Sequence, residues 1–275
     1  MKNPLGIYEK AISNHLSWDE KFALAKASGF ECIELSIDAT EERLKRLYDP
    51  GFVSTLKDAL KKTPLRIYTL ALTANRGFPL GSEDPVIRAR AKEIVQKAIL
   101  LAEELCIGVI HIAGYDELGP KSNEETKKFF RNSVAEVVRY AENYSPRLAI
   151  ETMDTEFMGS CTNIRRLCEE IGSEKLRIYA DVGNLAGMGK SVSEELKAGG
   201  DYIVGIHLKD SKPGIMRDVL FGEGIVDFKE AFSCITRIGY SGAMIAETWS
   251  YDDEDFHPYL KEIAAFLRAG MGTAI

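Results

Sequence analysis

The chain has few cysteines, no cluster of basic residues and no long apolar run. Its five cysteines, Cys32, Cys106, Cys161, Cys168 and Cys234, are odd in number, scattered and nowhere spaced as CxxC. That argues against a disulfide framework or a zinc ribbon. Lys and Arg number 35 against 42 Asp and Glu, a formal charge of −7. The Lys-Lys pairs at 61–62 and 127–128 read as solvated helix faces, so no surface for a phosphate backbone is expected. The opening stretch MKNPLGIYEKAISNH lacks an apolar core of signal-peptide length, and charge breaks every apolar run well short of a membrane span of ~18 residues. A soluble, cytoplasmic protein of a reducing compartment is expected, without nucleic-acid or membrane partners. Also missing after the first strand is Gly-x-Gly-x-x-Gly, which would favour an open dinucleotide-binding sheet.

What is present is an apolar fraction of 45%, ample for a sizeable core. Short β-branched or aromatic runs alternate with helical patterns along the whole chain. The predicted strands are 5–9, 32–37, 66–72, 108–114, 147–152, 177–181, 203–209 and 243–248. Helical periodicity falls at 18–28, 53–62, 163–172, 192–199, 228–239 and 255–270, and most clearly after Asp84-Pro85, an N-cap and first-turn pair. A further helix is expected to open at Ser122, with Glu125 three residues on as in a capping box. Eight β-then-α units of roughly 30 to 40 residues suit a single (β/α)8 TIM barrel spanning residues 1–275 better than an open sheet.

Four of these strands end in a metal-binding type of residue. LAIET closes on Glu151, IYAD on Asp181, VGIH on His207 and MIAET on Glu247. In a parallel barrel the strands' C-terminal ends share one face, and neighbouring strands are ~4.8 Å apart, so four successive ends can reach one ion. Taken singly, a strand-end acid is most often a helix cap or an ion-pair partner. Three carboxylates gathered on one rim repel each other unless a cation stands among them. Oxygen ligands with one imidazole suit Mn²⁺, Mg²⁺, Co²⁺ or Zn²⁺.

The segments GIYEKA (6–11), LTANRGFPLGS (72–82), IAGYD (112–116), DVGN (181–184), HLKD (207–210), RDVLFGEGIVDF (217–228) and IAETWS (245–250) closely resemble the L-xylulose 5-phosphate (L-ribulose 5-phosphate) 3-epimerases of the xylose-isomerase-like barrels. The resemblance covers essentially the whole chain. It implies that Glu151, Asp181, His207 and Glu247 hold one divalent metal ion. It further implies that Glu151 and Glu247 are the acid and base that move a proton at carbon 3 of a sugar phosphate through an enediolate, with the ion as Lewis acid. A homodimer and a place in the use of L-ascorbate or a related sugar acid are also implied.

Other residues are weaker candidates for substrate contact. Arg76 lies after strand 3, Arg217 on the long loop after strand 7, and Lys209 two residues past His207 and so on the same face. Glu9, ending strand 1, either meets a sugar hydroxyl or pairs with Lys10 or Lys209. Asn184 stands where related epimerases of unphosphorylated ketoses carry a histidine. His111 reads as a satisfied core imidazole, His15 and His257 as surface residues, and Trp249 as rim packing or pocket wall. Aldose–ketose isomerases and metal-dependent endonucleases use similar barrels. The acidic charge and the single histidine among the four ligands disfavour an endonuclease; the isomerase reading stays open, as does a non-catalytic barrel that binds metal and sugar.

Overall fold

The computed structural model describes residues 1–273. Among them, eight parallel strands close into a barrel in sequence order: β1 (Leu5–Tyr8), β2 (Cys32–Ile37), β3 (Arg66–Leu72), β4 (Val109–Ala113), β5 (Arg147–Glu151), β6 (Leu176–Asp181), β7 (Ile203–Leu208) and β8 (Met244–Ala246), with β8 pairing back to β1. The connecting helices are α1 (Trp18–Ala27), α2 (Glu41–Lys45), α3 (Pro50–Leu60), α4 (Pro85–Glu104), α5 (Glu124–Ala141), α6 (Cys161–Ile171), α7 (Val182–Gly187), α8 (Val192–Gly199), α9 (Phe228–Arg237) and α10 (Tyr259–Thr273). No helix among the described residues is long and apolar enough to cross a membrane.

Strand alternation divides the core in two. On β2, Ile33, Leu35 and Ile37 pack outward into the large apolar layer under the helices, whereas Cys32, Glu34 and Ser36 point the other way. α4 supplies that outer layer from one stripe, with Ile94, Val95, Ala98, Ile99 and Ala102 all fully buried. Each large aliphatic side chain so buried is worth roughly 1.5–3 kcal/mol. Asp84 caps α4 by accepting from Val86 N at 2.8 Å, ahead of Pro85 in the first turn.

Local differences from the sequence reading have local causes. The capping box of α5 sits one residue later than expected, on Asn123 and Thr126, because the Ser122 hydroxyl donates instead to Asp116. The last helix begins at Tyr259, since Asp253 caps a separate turn over Glu254–Phe256. Two short helices, α2 and α7, escaped the periodicity analysis because neither is long enough to show a repeat. β8 stops at Ala246, but Glu247 N still donates to Leu208 O at 2.9 Å, so its side chain keeps its place on the rim.

Inside the barrel, Gly205 on β7 leaves room for the ring of Tyr179 on β6. A Cβ there would stand 2.2 Å from Tyr179 Cε2. The ring is fully buried and lies across the barrel directly beneath the rim residues.

Candidate active site

The barrel brings together the four residues that the sequence places at successive strand ends. One ligand atom from each of Glu151, Asp181, His207 and Glu247 lies within 4.8 Å of every other. Strand register does this: Asp181 pairs with His207 across β6 and β7, and Leu208 with Ala246 across β7 and β8. His207 Nδ1 faces the carboxylates, 2.9 Å from Glu151 Oε1 and 3.5 Å from Glu247 Oε2. All four are buried except Glu247, whose side chain is 11% exposed and opens on the cleft.

Asp181 uses its two oxygens differently. Oδ1 caps α7, accepting from Gly183 N at 2.8 Å and Asn184 N at 3.0 Å. Oδ2 is buried, and although Lys209 Nζ is 2.7 Å away, the pair is not aligned as a hydrogen bond. A buried carboxylate oxygen left without a hydrogen bond, among two more carboxylates and one imidazole nitrogen, fits a divalent cation of the Mn²⁺, Mg²⁺, Co²⁺ or Zn²⁺ type.

The electrostatics follow from crowding. Burial, with Glu247 and Glu151 adding to it, pushes the Asp181 carboxyl up to about 6 against the pull of Lys209 and His207. Burial would raise Glu151 too, but the His111 and His207 imidazoles hold it well below the usual carboxylate range. Glu247 is likewise lowered against burial, by Lys209 and His207. His207 is raised well above an ordinary imidazole; burial opposes this, but Glu34 and Glu247 prevail.

Lys209 is buried and reaches Glu247 Oε2 at 2.7 Å as well as Asp181. Arg76 and Arg217 line the cleft above, a space of about 670 Å³ that also exposes Glu151 and Glu247. Arg76 stacks 5.2 Å over Tyr115 and its buried Nε has no partner. Arg217 stacks 4.4 Å over Trp249, which therefore forms pocket wall. Asn184 is buried, and its amide donates to Thr152 O at 2.9 Å beside a smaller recess that it lines with Lys209.

Glu9 does not join them, which corrects its placement as a substrate contact or a partner of Lys10 or Lys209. It is fully buried in an ion cluster, accepting from Arg43 Nη1 at 2.7 Å, from Arg46 Nη1 at 2.8 Å and from Ser36 N at 2.8 Å, with Lys21 Nζ at 3.3 Å. β1 ends one residue before Glu9, and the turn that follows swings the side chain under α1 and α2. His111 differs as well. It is buried as expected, but neither ring nitrogen has a hydrogen bond; each stands 3.4 Å from a carboxylate, Nε2 from Glu34 and Nδ1 from Glu151. His15 is exposed; His257 is half-buried and accepts from Ser13 N at 3.3 Å.

The residue that sequence reasoning missed is Glu34. Its signal was present: one acid in the middle of CIELSI, on a strand buried along its whole length. Burial alone would raise its pKa, but His207 and His111 hold it far below the carboxylate range.

Residues 22–270 match the xylose isomerase-like TIM barrel family. The chain belongs to that family. It is 39% identical over 272 residues to the L-ribulose-5-phosphate 3-epimerase UlaE of Escherichia coli O157:H7, covering 98% of this chain and 96% of that protein. Among solved structures it superposes on the 3-keto-D-glucoside 4-epimerase YcjR of E. coli with a TM-score of 0.81 at 18% identity, covering 98% of this chain and 100% of that one. An L-ribulose 3-epimerase gives 0.79 at 18% identity, covering 99% and 95%; these two likenesses speak for the barrel. The close sequence relatives place this family member in the isomerase class, as a carbohydrate epimerase.

Proposed function

We propose that this enzyme inverts carbon 3 of a ketopentose 5-phosphate, interconverting L-ribulose 5-phosphate and L-xylulose 5-phosphate, and that it works in the cytoplasm as a homodimer. The observation that carries the reading is the convergence of two glutamates with Asp181 and His207 inside 4.8 Å at the barrel mouth; the similarity to UlaE supplies the substrate. Glu151, Asp181, His207 and Glu247 would hold one divalent ion. When bound, it supplies Lewis-acid polarisation of the carbonyl beside carbon 3.

Glu151 ends β5 and Glu247 follows β8, so they address the reacting carbon from different sides of the rim. One removes the C3 proton and the other delivers a proton to the opposite face, each such transfer contributing roughly 10²–10⁴-fold. Both are held as carboxylates, Glu151 by two imidazoles and Glu247 by Lys209 and His207, so either can start as base. Lys209, held between Asp181 and Glu247, would meet a substrate oxygen from the recess that Asn184 also lines. Arg76 and Arg217 have no carboxylate partner among the described residues, and they offer the cleft's positive charge to the phosphate.

Purified Mn²⁺-loaded protein incubated with L-ribulose 5-phosphate in D₂O tests this. L-xylulose 5-phosphate carrying deuterium at C3 is expected. Absence of solvent deuterium at C3 overturns the proposal, and formation of an aldopentose phosphate would make the enzyme an aldose–ketose isomerase instead.

A further inference from the structure

Below the four rim residues lies a second, wholly buried group centred on Glu34, to which neither the fold nor the proposed reaction assigns a task. Its carboxylate receives side chains from four other strands. Thr69 Oγ1 (β3) and Tyr179 OH (β6) donate to Oε2 at 2.6 and 2.7 Å, and His111 Nε2 (β4) stands 3.4 Å from the same oxygen. Oε1 is left to one partner, His207 Nε2 (β7), at 2.7 Å. Burying an ion this deeply costs several kcal/mol, and an apolar residue of the same size would fill the space more cheaply. An ion kept there is explained by what it does to its neighbours.

We propose that Glu34 is the positioning residue for His207, fixing its tautomer and ring plane so that Nδ1 is the nitrogen left for a cation shared with Glu151, Asp181 and Glu247. The two hydroxyl donors saturate Oε2 and leave Oε1 as an acceptor aimed at Nε2. At 2.7 Å that nitrogen must carry hydrogen, since a lone pair there would face an anionic oxygen. Nε2 therefore keeps its hydrogen against Glu34, and Nδ1, the nitrogen 2.9 Å from Glu151 Oε1, is the one left to turn toward a cation at the rim. Carboxylate–imidazole pairs behind a ligand raise its basicity, and their loss weakens metal binding roughly 10–100-fold. Tyr179 OH, reaching Oε2 from β6 across the barrel, keeps Glu34 oriented with or without the Thr69 hydroxyl. The assignment rests on the metal reading of the site, but its first test does not.

Long-range ¹H–¹⁵N NMR of the wild-type protein, metal-free and Zn²⁺-loaded, reads the His207 tautomer. A protonated Nε2 in both is expected; an unprotonated Nε2 overturns the assignment. Calorimetric titration with Mn²⁺ and Co²⁺ then compares wild type with Glu34→Gln and Glu34→Asp, with Thr69→Val as a control that keeps the His207 contact. Glu34→Gln is expected to bind about 10–100-fold more weakly, with Glu34→Asp recovering part of the loss and Thr69→Val close to wild type. Equal affinity in wild type and Glu34→Gln overturns the proposal, as does an equal loss in Thr69→Val, which would mean general loosening of the barrel. If Glu34→Gln fails to fold, the tautomer measurement and Glu34→Asp decide. Wild type that binds no divalent ion would sink the metal reading, while the tautomer would still judge Glu34.

Discussion

Lys209 and Glu247 meet across β7 and β8, Nζ to Oε2 at 2.7 Å, and the same ammonium stands 2.7 Å from Asp181 Oδ2. One buried cation thus balances two of the three rim carboxylates. Lys209→Met leaves these carboxylates facing one another. The variant should lose roughly 3 kcal/mol in EDTA, about 6–12 °C in melting temperature for a chain of this size. Saturating Mn²⁺ should restore most of it, whereas wild type should gain less from the ion. Thermal melts with and without metal measure both differences, and equal gains would count against a shared cation site.

The two rim glutamates should be separable by exchange. With one replaced by Gln, epimerisation should fall by about 10²–10⁴-fold. The remaining carboxylate should still exchange the C3 hydrogen of whichever epimer presents that hydrogen to it. Glu151→Gln and Glu247→Gln should therefore retain deuterium exchange with opposite members of the substrate pair, as followed by ¹H NMR. Loss of exchange with both epimers in both variants would speak against one base per face.

The Glu9 cluster sets a limit on acid stability. Burial would raise this carboxyl, but Arg46, Arg43 and Lys21 together depress it from 4.5 to about 2. A depressed carboxylate stabilises the fold above its unfolded pKa and loses that contribution as pH falls through the folded one. The contribution, roughly 3 kcal/mol, should be intact at pH 7 and decline between about pH 4.5 and about pH 2. Glu9→Gln lacks it throughout and should be less stable at pH 7 by about 3–5 kcal/mol. Urea unfolding of both proteins should show the gap closing on acidification.

Asp210 anchors the loop that carries Arg217. Its Oδ1 accepts from Ser211 N and Val226 N, and its Oδ2 from Gly222 N and Gly224 N, all between 2.9 and 3.2 Å. Gly224 must lack a side chain, because a Cβ would lie 2.0 Å from Asp210 Oδ1. Asp210→Asn replaces one acceptor oxygen by a donor and should cost about 1–3 kcal/mol locally. KM should rise several-fold with metal affinity unchanged, and limited proteolysis should cut between residues 212 and 221. An unaltered KM would show that this loop does not shape substrate binding.

The barrel was legible because every strand kept its apolar run and every long helix its cap or repeat. The four rim residues were legible for a related reason: a charged residue closing an apolar run interrupts a strong pattern. Glu9 obeyed the same rule and was misplaced, because the rule reports burial and strand position but not the cations that gather from Lys21, Arg43 and Arg46. Glu34 failed for the opposite reason. An acid in mid-strand breaks no terminus, and its partners lie 35 to 173 residues away. Asp210 and its glycines were visible as the HLKD and FGEG motifs, but only the folded loop shows that one segment grips the other.

The ring of Tyr179, pressed against Gly205 and tethered to Glu34, stoppers the barrel axis beneath the rim. Reactant and product therefore both pass by the rim side of the barrel, where the cleft flanked by Arg76 and Trp249 opens. An occupant must leave before its successor can enter, so accumulating epimer slows turnover simply by staying in the vestibule.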